Sequence, residues 1–261
     1  MLQLSFSLFD LEYFLLVLVR VSCFVFVAPF FSVQGVPRQV RIGLSFFTSL
    51  MIYEVITPAE IPVTYSTVTG YAVIVLKEAI VGLLLGFGAT LCSSIVNFAG
   101  SIIDMETGLS MATIFDPATN QSTSITGAFY QYVLLMMMIA TGMYRYLLGA
   151  LADSFVLIPV NGAVFHQDSL LAAMISFMSD YIIIGFRICL PVFCVMMLLN
   201  AILGVLAKVS PQMNMFAIGI QLKIVVGLSV MFITVGMLPG ASDFIFQEMK
   251  KMITAFAGGM M

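Results

Sequence analysis

Charged side chains are scarce in this sequence. Lys, Arg, Asp and Glu make up 9% of its 261 residues, whereas hydrophobic residues make up 61%. Soluble domains carry about 25% charged residues, so this composition predicts a membrane protein. The 10 basic residues are outnumbered by 13 acidic ones, which gives a net charge of −3 and no basic surface. Binding to nucleic acid is therefore not expected.

Metal-binding and catalytic side chains are also few. His166 is the sole histidine, and the four cysteines lie in apolar runs without CxxC spacing. We therefore expect no metal site and no cofactor, and we interpret the cysteines as small core residues. The sequence contains no GxSxG, HExxH, P-loop or Rossmann glycine motif, so no catalytic residue is predicted. Asp104 and Glu106 could share a site on an irregular loop, although solvation or capping of nearby N–H groups explains them as well.

Apolar segments dominate the remainder of the chain. A membrane crossing needs about 20 apolar residues, and six segments approach or exceed that length. They occupy residues 11–32, 42–56, 69–96, 125–151, 170–207 and 216–238. The sequence thus predicts an all-α, membrane-type protein of about six apolar helices, with a kink or end at Pro29 and a break at Pro191. Gly82 and Gly86 lie four residues apart on one helix face and predict a close approach of another backbone. The N-terminus lacks the basic region and cleavage site of a removable signal peptide.

The longest polar interruption lies at residues 97–124. It contains three acidic residues and no basic one, glycines at Gly100 and Gly108, and Pro117, which disfavours helix at the preceding residue. These features predict a loop. Because the stretch also keeps several apolar residues, we expect it to pack against protein. Irregular backbone at membrane depth must be buried in protein or line a cavity.

Several charges lie inside the apolar segments. A charge at the centre of a lipid-facing helix costs about 2.5–3.5 kcal/mol, so such side chains should face protein or water. Two interpretations remain open, namely structural pairs and a polar lumen. Glu78 adjoins Lys77, and Asp180 precedes Arg187 by seven residues; we expect Asp180, Arg187 or both to be buried in a hairpin or against another subunit. The predicted buried charges are Arg20, Lys77, Glu78, Asp180, Arg187 and Lys223.

Four motifs together resemble one known family. They are RVSCFVFVAPFFS at residues 20–32, VPRQVRIGL at 36–44, DMETGLSMATIFDP at 104–117 and KVSPQMNMF at 208–216. The combination, with the chain length and segment order, is similar to the FliR/SctT family of flagellar and injectisome export-gate proteins. The chain departs from the family pattern at Glu106, where a glutamine is common.

This resemblance implies a non-enzymatic subunit of the bacterial inner membrane, in the flagellar basal body. Its expected partners are FliP and FliQ homologues in a core complex, an FlhB homologue, and unfolded export substrates. It also implies a FliP-like four-helix part at residues 1–168, which includes the 97–124 plug loop, followed by a FliQ-like helical hairpin and tail at 169–261. The two segments of the hairpin are expected to join at Pro211. The loop within 97–124 is expected to plug the export channel, with the seal at Gly108, Met111, Ile114, Phe115, Asp116 and Pro117. The alternative is a small secondary transporter or ion channel of the inner membrane.

Overall fold

The computed structural model describes residues 8–33, 35–56, 65, 67–111, 124–210, 212 and 215–261. All regular elements in these ranges are helical, which confirms the predicted all-α class. The nine α-helices found there are α1 Leu8–Val27, α2 Arg38–Ile56, α3 Val68–Ser93, α4 Ile95–Thr107, α5 Ile125–Ala140, α6 Met143–Leu157, α7 Gln167–Val209, α8 Met215–Thr234 and α9 Leu238–Gly258. One turn of 3-10 helix, Val235–Met237, connects α8 to α9.

Local chemistry explains several helix ends. Helix α1 stops at Val27, two residues before Pro29, because proline fixes its own backbone and disfavours helix at the residue before it. Helix α4 ends at Gly108, whose φ of +83° is a left-handed conformation that suits glycine. The predicted single segment at 125–151 is instead two helices, because Gly142 adopts φ +72° between α5 and α6.

The structure corrects the prediction of a loop over the whole of residues 97–124. Helix α4 extends to Thr107, so the first part of that stretch is regular. Its apolar side chains recur at helical spacing and are buried, as at Ile95, Ala99 and Ile103. Gly100 does not break the helix, and its position lies against the backbone of Gly127.

The predicted break at Pro191 is also wrong, because α7 continues through it for 43 residues. Proline removes one backbone hydrogen bond, but long apolar helices tolerate this loss where neighbouring structure supports the backbone. Pro211, the predicted hairpin turn, lies outside the described residues.

Among the described residues, three helical stretches are long and apolar enough to cross a membrane: Val68–Thr107, Gln167–Val209 and Ile218–Gly258. A fourth is obtained if α5 and α6 are counted as one broken span. Two of the six predicted apolar segments are not among these stretches. Segments 11–32 and 42–56 do form helices, but α1 and α2 each carry three charged residues within at most 20 positions. Spans have few or no charges.

The chain forms two compact units, and each is built from segments that are separated in the sequence. The first comprises Met1–Leu91, Thr141–Phe177 and Met249–Met261. Within it α1 packs on α2, with Phe14 in edge contact with Phe46 and Tyr53. The second comprises Cys92–Ala140 and Met178–Glu248, and in it α4 packs on α5 and α8. The division at residue 168, which came from a resemblance and not from packing, stays a prediction.

The predicted close approach at the paired glycines is confirmed within the first unit. A Cβ atom added to Gly82 would overlap the carbonyl oxygen of Arg20, and one added to Gly86 would lie 3.0 Å from the carbonyl oxygen of Phe24. Both contacts are with the backbone of α1. The spacing of four residues therefore brings α1 and α3 together along one face.

Candidate functional site

The two ends of the polar loop are joined by a buried carboxylate. Asp104, on α4, is 4% exposed, and its oxygens accept the backbone N–H of Thr126 at 3.2 and 3.3 Å. The Thr126 hydroxyl donates to the same carboxylate. Thr126 lies in the first turn of α5, where backbone N–H groups have no helical partner and negative charge is favourable. Asp104 therefore caps α5 from outside the helix.

A second cap and a close backbone contact complete this junction. Ser124 precedes α5, and its hydroxyl accepts the N–H of Gly127 at 2.7 Å, as an N-cap residue does. Gly100 of α4 lies directly against Gly127, so closely that a Cβ atom at Gly100 would overlap the Gly127 nitrogen. Glycine at both positions thus lets α4 and α5 meet backbone to backbone.

Helix α8 supports the same junction. The methyl group of Thr107 lies against Gly227 of α8, and a Cβ atom added to Gly227 would be 2.5 Å from that methyl carbon. The Thr126 hydroxyl is 3.7 Å from the sulfur of Met231, also on α8. We call the residues Gly100, Asp104, Thr107, Ser124, Thr126 and Gly127 the loop base. Residues 108–123, of which 112–123 lie outside the described residues, connect the two sides of this packed group.

Of the predicted seal residues, Gly108 and Met111 are described. Gly108 ends α4, and its carbonyl accepts the N–H of Met111 at 3.0 Å. The Met111 side chain is 43% exposed and is available for further contacts. Ile114, Phe115, Asp116 and Pro117 lie outside the described residues, and their sealing role stays a prediction.

The two neighbouring carboxylates do not form a catalytic pair. Asp104 and Glu106 both lie on α4, and two residues of α-helix rotate by about 200°. Asp104 is buried at the loop base, whereas Glu106 is half-buried on another face. Within the described ranges no group of three or more His, Cys, Asp or Glu residues could hold a metal ion.

A buried ion pair lies in the first unit. Arg20 and Glu78 are both 0% exposed, and Arg20 Nε donates to Glu78 Oε2 at 2.6 Å. Arg20 Nη1 also donates to the carbonyl oxygens of Ser154, at 3.1 Å, and Ile158, at 2.9 Å. These carbonyls lie at the C-terminal end of α6, where a positive charge is favourable. The backbone N–H of Asn161 donates to the second Glu78 oxygen at 2.9 Å.

This ion pair connects four parts of the chain: α1, α3, the end of α6 and the turn after it. The guanidinium of Arg20 also stacks on Phe155, with 4.2 Å between its central carbon and the ring centroid. The sequence suggested Lys77 as the partner of Glu78, because the two residues are adjacent. In the structure Glu78 pairs instead with Arg20, 58 positions away. Adjacent helix residues point in different directions, and Lys77 is only half-buried.

The remaining predicted charges are less enclosed. Lys223 and Asp180 are half-buried, and Arg187 is exposed in the isolated chain. The Arg187 guanidinium carbon lies 4.5 Å from the centroid of the Phe244 ring. Burial of Arg187 or Asp180 against another subunit stays a prediction.

Sequence reasoning missed two features of the site. The first is the pair formed by Asp104 and Thr126, for which the only local signal was a threonine at the start of an apolar segment. The second is α9, which was taken as part of a tail. Buried apolar residues at Ile245, Met249 and Phe256 recur at intervals typical of a helix and could have indicated it.

Comparison with known proteins supports the resemblance seen in the motifs. The family model described as "Bacterial export proteins, family 1" matches residues 11–249. The chain belongs to this family.

Three relatives that match most of this chain share one flagellar name. "Flagellar biosynthetic protein FliR" of Bacillus subtilis (strain 168) is 32% identical over 231 residues, which cover 85% of this chain and 88% of the relative. The Escherichia coli (strain K12) protein of the same name is 27% identical over 236 residues, 90% of this chain and 89% of the relative. The Aquifex aeolicus (strain VF5) protein is 27% identical over 238 residues, with shares of 91% and 90%. The prediction of FliR-family membership is confirmed.

Proposed function

We propose that this chain is the FliR-type subunit of a flagellar protein export gate in the bacterial inner membrane. The observation that carries the proposal is the family match over residues 11–249, together with relatives that share one flagellar name. The three membrane-capable helical stretches fit an integral membrane subunit. The proposed role is non-enzymatic, and the energy for export would come from another component.

The proposed partners are FliP and FliQ homologues in one core complex, with an FlhB homologue in contact. Support comes from the apolar surface of α7. Large apolar side chains such as Leu190, Leu198 and Ile202 are more than half exposed on the isolated chain. Exposed apolar surface of this kind fits contact with protein neighbours or with lipid. In this proposal residues 1–168 form a FliP-like part and 169–261 a FliQ-like hairpin.

The loop at residues 108–123 is proposed to close the export channel when no substrate is present. A segment that closes a pore needs anchored ends, so that it returns to one position after a substrate has passed. The loop base provides such anchors, because buried Asp104 joins α4 to the start of α5. Apolar side chains in a narrow bore can block ions by excluding water, and Met111, Ile114 and Phe115 are the candidates.

The alternative of a secondary transporter or ion channel is less well supported. A transporter places titratable side chains along a polar path at the centre of the membrane. The most deeply buried charges of the described residues, Arg20 and Glu78, are 0% exposed and bonded to backbone groups of α6 and the turn after it. These contacts fit a structural role.

Copurification tests the assignment. The chain, tagged and solubilised in a mild detergent, is expected to elute in one complex with two other small membrane proteins of the FliP and FliQ type. Elution of the wild-type chain alone, as a monomer or a simple homodimer, would contradict the export-gate proposal.

A further inference from the structure

One face of α8 contacts both ends of the polar loop. Thr107 is the last residue of α4, and its methyl group lies against Gly227. Thr126 is the second residue of α5, and its hydroxyl lies 3.7 Å from the sulfur of Met231. Gly227 and Met231 are four residues apart, so both lie on the same side of α8. All four residues belong to the second compact unit.

Gly227 is one of the few buried positions in α8. Within residues 218–234, the part of α8 whose burial the structure describes, the buried residues are Gly219, which faces α7, and Gly227. A Cβ atom added to Gly227 would be 2.5 Å from the methyl carbon of Thr107 and 3.2 Å from that of Met196. The contact between α8 and α4 therefore depends on the absence of a side chain at Gly227.

The Thr107 side chain is held in place on its other side. It is 0% exposed, and its hydroxyl donates to the carbonyl oxygen of Ile103 at 2.8 Å, which fixes the direction of the methyl group. Threonine is also branched at Cβ, so few torsion angles are open to its side chain. A new group at Gly227 would therefore push the end of α4, where Gly108 follows, and not the Thr107 side chain alone.

We propose that α8 sets the position of the closing loop, with Gly227 and Met231 as the positioning residues. The inference rests on the closing role proposed above for residues 108–123, and it adds that a helix of the C-terminal half holds both ends of that loop. A change at either contact alters where the loop begins or ends without altering the loop itself. Because a pore closed by apolar side chains conducts ions once water enters, a small displacement of the loop is sufficient to raise the ion conductance.

The test measures the resting ion conductance of the purified complex, with all copurifying subunits, in a planar bilayer. Gly227→Ala adds one methyl group that overlaps the methyl of Thr107, and we expect the assembled complex to conduct severalfold more than the wild type. Alanine favours a helix more than glycine does, so helix propensity itself opposes this effect. Combining Gly227→Ala with Thr107→Ser removes the overlapping methyl and keeps the hydroxyl, and it should return the conductance close to the wild-type value. Met231→Ala removes the other contact of α8 without adding atoms and should give a smaller leak.

Gly185→Ala is the matched control for a general packing defect. A Cβ atom at Gly185 would lie 2.5 Å from the ring of Phe98, so the overlap is as severe, and Phe98 also belongs to α4. Phe98 precedes Thr107 by nine residues, which is about two and a half helical turns. We expect Gly185→Ala to lower the thermal stability of the complex without raising its conductance. If Gly227 had only a structural role, the two alanine variants would leak equally.

Three outcomes would overturn the proposal. They are an assembled Gly227→Ala complex that stays impermeable, a leak that Thr107→Ser does not reduce, and a Gly185→Ala complex that leaks as much. If Gly227→Ala does not assemble, Met231→Ala decides, and an impermeable Met231→Ala complex rejects the role of α8.

A complex with a shortened loop, which lacks residues between Gly108 and Asn120, separates this inference from the proposed function. If the shortened complex leaks and the Gly227→Ala complex stays impermeable, the positioning role of α8 is rejected and the closing role of the loop is retained. If the shortened complex itself stays impermeable, the closing role is rejected, and the positioning role is rejected with it.

Discussion

Replacing Glu78 by glutamine should destabilise the chain strongly. The substitution keeps the size of the side chain and removes its charge, so that Arg20 is left buried without a counter-charge. Both side chains are 0% exposed, which means that water cannot screen the loss. Removing one partner of a buried ion pair costs about 3–5 kcal/mol.

The hydrogen bonds of the pair lead to a similar loss in the free energy of unfolding. Glu78 accepts one bond from Arg20 at 2.6 Å and one from the Asn161 N–H at 2.9 Å. Hydrogen bonds to charged groups contribute about 1.5–3 kcal/mol each, and the amide of glutamine can still accept one of the two, more weakly. A loss of about 3 kcal/mol follows, which is a large share of the roughly 5–15 kcal/mol that stabilises a typical protein.

Denaturant unfolding of the purified protein in detergent, followed by circular dichroism, measures this loss. Lys77→Gln is the matched control, since it removes the adjacent, half-buried charge and should change the free energy of unfolding by roughly 0.5 kcal/mol or less. The double variant Arg20→Met with Glu78→Met removes both charges and should be more stable than Glu78→Gln alone. Glu78→Gln unfolding like the wild type, or a double variant less stable than the single one, would refute the argument.

Two further predictions concern the contacts that fix helix positions. Gly82→Ala should lower the free energy of unfolding by about 1–3 kcal/mol, because the new Cβ would overlap the carbonyl oxygen of Arg20; Gly149→Ala, in open space, should instead be neutral or raise it by up to about 1 kcal/mol. Asp104→Ala should cost about 0.5–2 kcal/mol through the lost cap of α5, whereas Glu106→Gln should have little effect. Denaturant titrations measure the free energy of unfolding of all four variants. If Gly82→Ala and Gly149→Ala had equal effects, the contact of Gly82 with α1 would be contradicted. If Asp104→Ala and Glu106→Gln had equal effects, the cap of α5 by Asp104 would be contradicted.

Features that depend on local chemistry were predictable from the sequence. The apolar segments predicted an all-α protein because a helix satisfies its own backbone hydrogen bonds. Gly82 and Gly86 predicted a close helix contact because their spacing places both on one face. The end of α1 near Pro29 follows from the geometry of proline itself.

Features that depend on distant contacts could not be predicted. Arg20 and Glu78 are 58 positions apart, and sequence distance alone pointed to Lys77 as the partner. Gly100 was interpreted as a helix break, but the backbone of Gly127 occupies the space that a side chain would need. Pro191 lies inside a continuous helix, although proline removes one backbone hydrogen bond. For Glu78 and Gly100, contacts with distant parts of the chain override the preference that the neighbouring sequence indicates.

Ion conductance of the purified complex in a planar bilayer tests the central claim, that this chain closes the export channel. Removing residues between Gly108 and Asn120 should leave the complex assembled, because the loop base lies outside the deletion, and should raise the resting conductance for small ions. Polar substitutions at Ile114 and Phe115 should give a milder leak. A shortened loop that prevents assembly, or a complex that assembles and stays impermeable, would contradict the claim.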